Sequence, residues 1–285
     1  MHVGVMFANG GRSADAEHAS ELAVAAEDVG FESLWAVQHV AMPVEHASRY
    51  PYAADGTIPG GAAIAIPDPL VWLAWAGALT SRIRLATGIL ILPQQHPLVV
   101  AKQMATLDRL TGGRVILGVG AGWLREEFDA IGAGFDGRGS RLDEGIEVVR
   151  RAWAPGPTTF EGKHVRFAAV HVEPKPASSI PIVIGGHSDA AARRAGRLAD
   201  GFFPLACQGE RLIHLVNTVR AQSRRVGRDP NTIEITVDAP HTAEEADVQA
   251  TLNVDRIVIN APNVPTYSIR ASLEARLVEI NALLR

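Results

Sequence analysis

Residues 82–123 read RIRLATGILILPQQHPLVVAKQMATLDRLTGGRVILGVGAGW. The stretch holds an apolar run from Ile83 to Leu92, a helical segment from Pro97 to about Leu110, and a second apolar run, Val115 to Val119, which ends in Gly120-Ala121-Gly122-Trp123. Runs that are apolar at nearly every position fit strands buried on both faces, as in parallel sheets. Strand, helix and strand in that order make one β-α-β unit. Gly112-Gly113 stops the helix. The first run is broken by Thr87-Gly88. A glycine inside a buried strand marks a bulge or a close approach to a ligand, or it serves packing alone.

The same unit recurs in both directions. Upstream, His2 to Phe7 is a short apolar strand. A helix follows over 15–29, with Ala19, Leu22, Ala23, Ala26 and Val29 on one face and Gly30 as a stop. Ser33 to Val37 is a second strand, ending in Gln38-His39. Residues 41–67 have no period and read as a long inserted loop, and a helix from Asp68 to about Thr80 leads into the quoted stretch. Downstream, 124–138 reads as loop, and Ser140 to Trp153 as a helix. Thr159 to Lys163 sits between two short alternating stretches and predicts a small hairpin. Strands then start at Pro181, Gly201, Thr232 and Arg256, each followed by a helical pattern. The last helix carries Ile269, Leu273, Leu277, Ile280 and Leu284 on one face.

Eight strand–helix units predict an α/β chain folded as a (β/α)8 TIM barrel, which needs about 250 residues. The 285 residues fit one such domain, with the 41–67 loop and the hairpin as insertions. An open doubly wound sheet is the alternative, but the G-x-G-x-x-G fingerprint is absent after the first strand. The net charge of -4 argues against a nucleic-acid or anionic-membrane surface. The single cysteine, Cys207, excludes an intrachain disulfide and a cysteine metal cluster. There is no apolar stretch of spanning length and no basic-then-apolar leader. The expectation is a cytoplasmic protein.

In such barrels the loops after the strands build the site. Ile184-Gly185-Gly186-His187-Ser188-Asp189 closes a strand just before a helix. Its glycines and the helix N-terminus suit a phosphate. An ordinary turn capped by Ser188 or Asp189 is the alternative. His39, just past a buried strand, suits proton transfer or a structural hydrogen bond. Metal-ligand spacing is missing among the histidines, and with it the basis for a metal-dependent hydrolase. Gly120-Ala121-Gly122 offers a flat wall for a ring; Trp123 either stacks on that ring or packs under the next helix, and packing is the expectation.

Taken together, SLWAVQHV (33–40), the quoted 82–123 stretch, TFEGKHVRF with EPKP (159–167, 173–176) and PIVIGGHSDAAARRAGRLADGFFP (181–204) resemble the luciferase-like monooxygenase superfamily. Within it they resemble the oxidoreductases that use deazaflavin coenzyme F420. That resemblance implies a bacterial-luciferase-like barrel that passes a hydride between F420 and a small organic substrate, and a homodimer joined through the apolar helices two and three. It implies a non-prolyl cis peptide at Gly88-Ile89 supporting the ring, with Thr87 at the ring edge and Gly120 and Ala121 beside it. It gives the phosphate to Gly185, Gly186, His187 and Ser188, and a catalytic place near the reactive centre to His39. Gln38 stands among the cofactor contacts where many relatives carry an acid. A glutamate that some relatives place just after strand four is replaced by Ala121-Gly122, and Glu126 and Glu127 come later. Two alternatives share the phosphate loop: an FMN-dependent monooxygenase using reduced flavin and oxygen, and a non-catalytic cofactor-binding protein. Tyr50, Pro51 and Tyr52 in the inserted loop predict an apolar lid over the substrate.

Overall fold

The computed structural model describes residues 1–284. Its strands are β1 (His2–Met6), β2 (Ser33–Ala36), β3 (Arg84–Thr87), β4 (Leu90–Ile91), β5 (Val115–Gly120), β6 (Thr158–Glu161), β7 (Arg166–Val170), β8 (Ile182–Gly185), β9 (Gly201–Phe203), β10 (Glu234–Asp238) and β11 (Arg256–Asn260). The helices are α1 (Ala16–Val29), α2 (Pro69–Leu79), α3 (Pro97–Thr111), α4 (Arg125–Ala130), α5 (Arg138–Trp153), α6 (Asp189–Leu198), α7 (Gly209–Arg225), α8 (Ala243–Thr251) and α9 (Ile269–Leu283). The sheet runs β3-β2-β1-β11-β10-β9-β8-β5-β4, and β3 also pairs with β5, which closes it. Every pairing in it is parallel. Because β3 and β4 are one stave interrupted at Gly88-Ile89, this is a closed eight-stave parallel barrel with helices outside, a luciferase-like TIM barrel. β6 and β7 form the separate antiparallel hairpin. Among the described residues, no helix is long and apolar enough to cross a membrane.

Two apolar layers hold the barrel. Inside it, Met6, Trp35, Ala86, Ile116, Val183, Phe203 and Val258 point inward from seven strands. Trp35 and Phe203 meet edge to face at 5.4 Å. The outward-facing residues (Val5, Leu34, Leu85, Leu117, Ile184, Phe202 and Ile257) pack under the helices. This two-sided burial is why the strands are apolar at nearly every position.

The floor of the barrel is polar and fully paired. Arg256 is wholly buried. Its Nε and Nη2 donate to the two Glu32 oxygens at 2.8 and 2.9 Å, and its Nη1 donates to Glu234 Oε2 and Thr236 Oγ1 at 3.2 Å each. Burial alone would raise the Glu32 carboxyl, but the hydrogen bonds and charge of Arg256 bring it below its ordinary value.

One element departs from the sequence reading. The 124–138 stretch contains α4, a six-residue helix too short to show a period. It is anchored by buried Leu124, Glu127 and Phe128, which share one face.

Candidate active site

The mouth of the barrel holds a cavity of about 810 Å³, within the range of small-molecule sites. It is lined from every side: Gln38 and His39 after β2, Gly88 and Ile89 in the bulge, Ala121 to Trp123 after β5, Gly185 to Ser188 after β8, and Asn260 to Asn263 after β11. The long loop covers it with Tyr50, Pro51, Tyr52, Ile58 and Ile64. Asn9, buried at the end of β1, fastens both ends of that loop. Its Nδ2 donates to Val37 O at 2.8 Å and Pro67 O at 2.7 Å, and its Oδ1 accepts from Val37 N at 2.8 Å.

Of the residues predicted from sequence, Gln38, His39, Gly88, Ile89, Ala121, Gly185, Gly186, His187 and Ser188 share this lining, whereas Thr87 and Gly120 do not. The Thr87 hydroxyl is turned into the wall, fully buried, and donates to Gly118 O at 2.7 Å. The expected flat wall at Gly120 is filled as well. A Cβ on Gly120 would lie 1.8 Å from Ile89 Cδ1, and one on Gly185 would lie 2.5 Å from Ile89 Cγ2. The two glycines therefore form a slot for the Ile89 side chain, and it is the bulge itself that faces the cavity. The Gly88-Ile89 peptide is cis. Gln38 is held by its Oε1, which accepts from Ile91 N at 2.6 Å.

The loop at 185–188 has both features weighed in the sequence. Ser188 is the N-cap of α6, and its Oγ accepts from Ala191 N at 3.2 Å. The amides of Asp189 and Ala190 precede the first intrahelical donor, Ala192 N, which bonds Ser188 O, and face an open end. Gly186 has φ +113°, a left-handed conformation that favours glycine. A Cβ there would clear its nearest atoms, Ala191 Cβ at 3.6 Å and Tyr52 Oη at 3.9 Å. The Tyr52 hydroxyl thus stands beside the cradle. Burial and the neighbouring Tyr50 push its pKa up to about 12, so it remains a proton donor at neutral pH.

A carboxylate reaches His39 from α4. Glu127 is fully buried. Its Oε2 lies 3.1 Å from His39 Nδ1, and its Oε1 accepts from Val40 N at 2.6 Å and Ala41 N at 3.3 Å. Burial alone would raise this carboxyl, but the His39 hydrogen bond, its charge and the two amides bring it below the ordinary value. The adjacent Glu126 accepts from Ala47 N at 2.7 Å and Ser48 N at 3.2 Å, holding the next part of the loop. The signal for Glu127 was its i, i+3 and i+4 spacing with Leu124 and Phe128, short as that helix is.

Trp123, expected under a helix, instead lines the cavity. An edge-to-face arc runs from His39 to Trp123 (6.0 Å), Tyr50 (5.4 Å), Tyr52 (5.3 Å) and His187 (4.9 Å), joining the histidine side to the phosphate loop. The charged lining residues are Arg12, Arg138 and Arg194, with no carboxylate among the lining. Among the described residues no group of His, Cys, Asp and Glu forms a metal site.

The family of luciferase-like monooxygenases matches residues 1–283. An uncharacterised Mycobacterium tuberculosis protein is 37% identical over 73% of this chain and 72% of its own. A protein of Kineococcus radiotolerans named F420-dependent glucose-6-phosphate dehydrogenase is 30% identical over 82% of this chain and 66% of its own. Two solved structures are alike in fold. One, an F420-dependent secondary alcohol dehydrogenase with an F420-acetone adduct, has TM-score 0.70 and 20% identity, covering 98% of this chain and 89% of that one. The other, the oxygenating constituent of 3,6-diketocamphane monooxygenase of Pseudomonas putida with FMN, has TM-score 0.65 and 20% identity, covering 100% and 77%.

Proposed function

Because the chain belongs to the luciferase-like monooxygenase family and is an oxidoreductase, we propose that it transfers a hydride between coenzyme F420 and a small organic substrate. The observation that carries this reading is His39, held from behind by the buried Glu127, facing a cavity whose far end is the glycine loop at 185–188. The relative named as F420-dependent supports the choice of coenzyme.

The residues present fit such a group. Gly186 leaves room for a phosphate, and the first amides of α6, Ser188 and the Tyr52 hydroxyl would be its hydrogen-bond donors. Gly88-Ile89 would give the ring a wall, with Gln38 and Ala121 beside it in the same cavity lining. When bound, the deazaflavin supplies the carbon that accepts or gives up hydride, and the protein supplies orientation and electrostatics. Glu127, kept ionised, requires the proton of a neutral His39 to sit on Nδ1. The Nε2 lone pair is then free to take a proton from a substrate hydroxyl, or as N–H to return it to a carbonyl. The arc of Trp123, Tyr50 and Tyr52 keeps water from the reacting atoms.

Similarity in fold to the FMN-bound monooxygenase supports a second reading, reduced FMN with oxygen. Equilibrium titration with each cofactor separates them. The proposal expects F420 to bind more tightly than FMN, and tight FMN binding with none for F420 reverses it.

A further inference from the structure

Beside the phosphate cradle, at the start of α5, positive charge exceeds negative. Arg125, Arg138 and Arg141 gather on the turn that carries Phe135 and Asp136. The Arg138 guanidinium lies 3.7 Å from the Phe135 ring centroid and that of Arg125 lies 4.2 Å from it. The one carboxylate there, Asp136, is paired at 2.8 Å with Arg125 and is mostly exposed. Arg138 uses only Nε, on Gly122 O at 3.0 Å. Arg141 gives Nη1 to Asp136 O at 2.9 Å and leaves Nη2 buried without a partner. Gly137 caps this 16-residue helix without a side-chain hydrogen bond, so its partial positive end adds to the cluster. Arg138 and Gly139 belong to the same cavity lining as Gly186 and Ser188.

Guanidiniums crowded this closely repel one another, and burial weakens their hydration. Both effects lower the Arg138 pKa, burial first and the neighbouring Arg125 next. An anion between them removes both costs. We propose that Arg138 and Arg141, with the N-terminus of α5, form a second anion site that takes a carboxylate of the oligoglutamyl tail of F420, beyond the phosphate at 185–188. This rests on the F420 reading above and deepens it. FMN ends at its phosphate and has nothing to place there, so the site selects between the two cofactors.

The test is the dissociation constant of F420 and of FMN, by fluorescence titration at low and high salt. The proteins are the wild type, Arg141→Gln, Arg141→Lys and Arg138→Gln, each with its melting temperature. Each glutamine variant is expected to weaken F420 by about tenfold at low salt, as for one charge-assisted hydrogen bond. FMN binding stays the same, the salt dependence of F420 binding flattens, and Arg141→Lys retains most of the affinity. If the wild type binds F420 and the folded variants bind it equally well, the tail site is overturned while the F420 reading stands. Equal weakening of FMN also overturns the tail site, because the arginines then serve the phosphate. A wild type that binds FMN and not F420 overturns the proposed function, and the tail site with it.

Discussion

At the floor of the barrel, Arg256 is wholly buried and all its polar contacts are made by Glu32, Glu234 and Thr236. At the mouth the polar groups are only half paired. His39 is held at Nδ1 and open at Nε2, Ser188 caps a helix whose first amides face the cavity, and Arg141 keeps a buried nitrogen without a partner. Both ends lie on the same eight staves. Fully paired buried groups hold a structure rigid, and half-paired groups await a ligand. The floor is therefore built for stability and the mouth for binding, and substitutions at the two ends should separate these properties.

The largest effect is expected at the floor. Arg256→Ala empties a wholly buried site and leaves the half-buried Glu32 with only Arg84, at 3.6 Å, and should cost about 3–5 kcal/mol in urea unfolding. Cofactor affinity per folded molecule should not change; a matching loss of affinity would mean that the ends are coupled. Next is Gly186→Asp, which sets a carboxylate against the phosphate. At an effective dielectric of about 20 and a few ångströms, the repulsion is about 3 kcal/mol, a loss of roughly a hundredfold or more in affinity. Unchanged affinity means that the cradle is assigned to the wrong loop. Third, Glu127→Gln should lower turnover by roughly tenfold, as loss of an orienting partner commonly does, and should alter the pH profile of the rate because His39 loses its fixed proton. A role in stability alone would lower the melting temperature and spare turnover per folded molecule.

The smallest effect tests the outer shell. Glu27 accepts from the amides of Ser81, Arg82 and Ile83. Its pKa is lowered from 4.5 to about 2: burial opposes the shift, and the three amides outweigh it. Because the folded value is the lower one, its contribution is complete above pH 4.5 and is lost as the pH falls toward 2. Glu27→Gln should cost less than about 1 kcal/mol at neutral pH, since the group lies half-buried at the surface, where water screens its charge, and should reduce the loss of stability on acidification. A pH-independent difference between the two proteins would contradict this.

The sequence carried the barrel almost whole, because burial on both faces and helical spacing are local patterns. That the loop at 185–188 and His39 line the cavity was legible for a related reason: each follows directly on a strand end. What was not legible depends on contacts between distant segments. Nothing near Thr87 reveals that its hydroxyl is spent on Gly118, and nothing near Gly120 reveals that Ile89 fills its space. Glu127 meets His39 across 88 residues of chain, from a helix too short to announce itself. Trp123 looked like packing because its partners, Tyr50 and His39, come from the irregular loop and its start.

A crystal structure of the protein grown with F420 tests the central claim most directly. The account predicts the phosphate within hydrogen-bond distance of the first amides of α6, the ring against Gly88-Ile89, and His39 Nε2 toward the open ring face. A phosphate held elsewhere, or a mouth closed by Tyr50 and Tyr52 with no room for a planar ring, would contradict it.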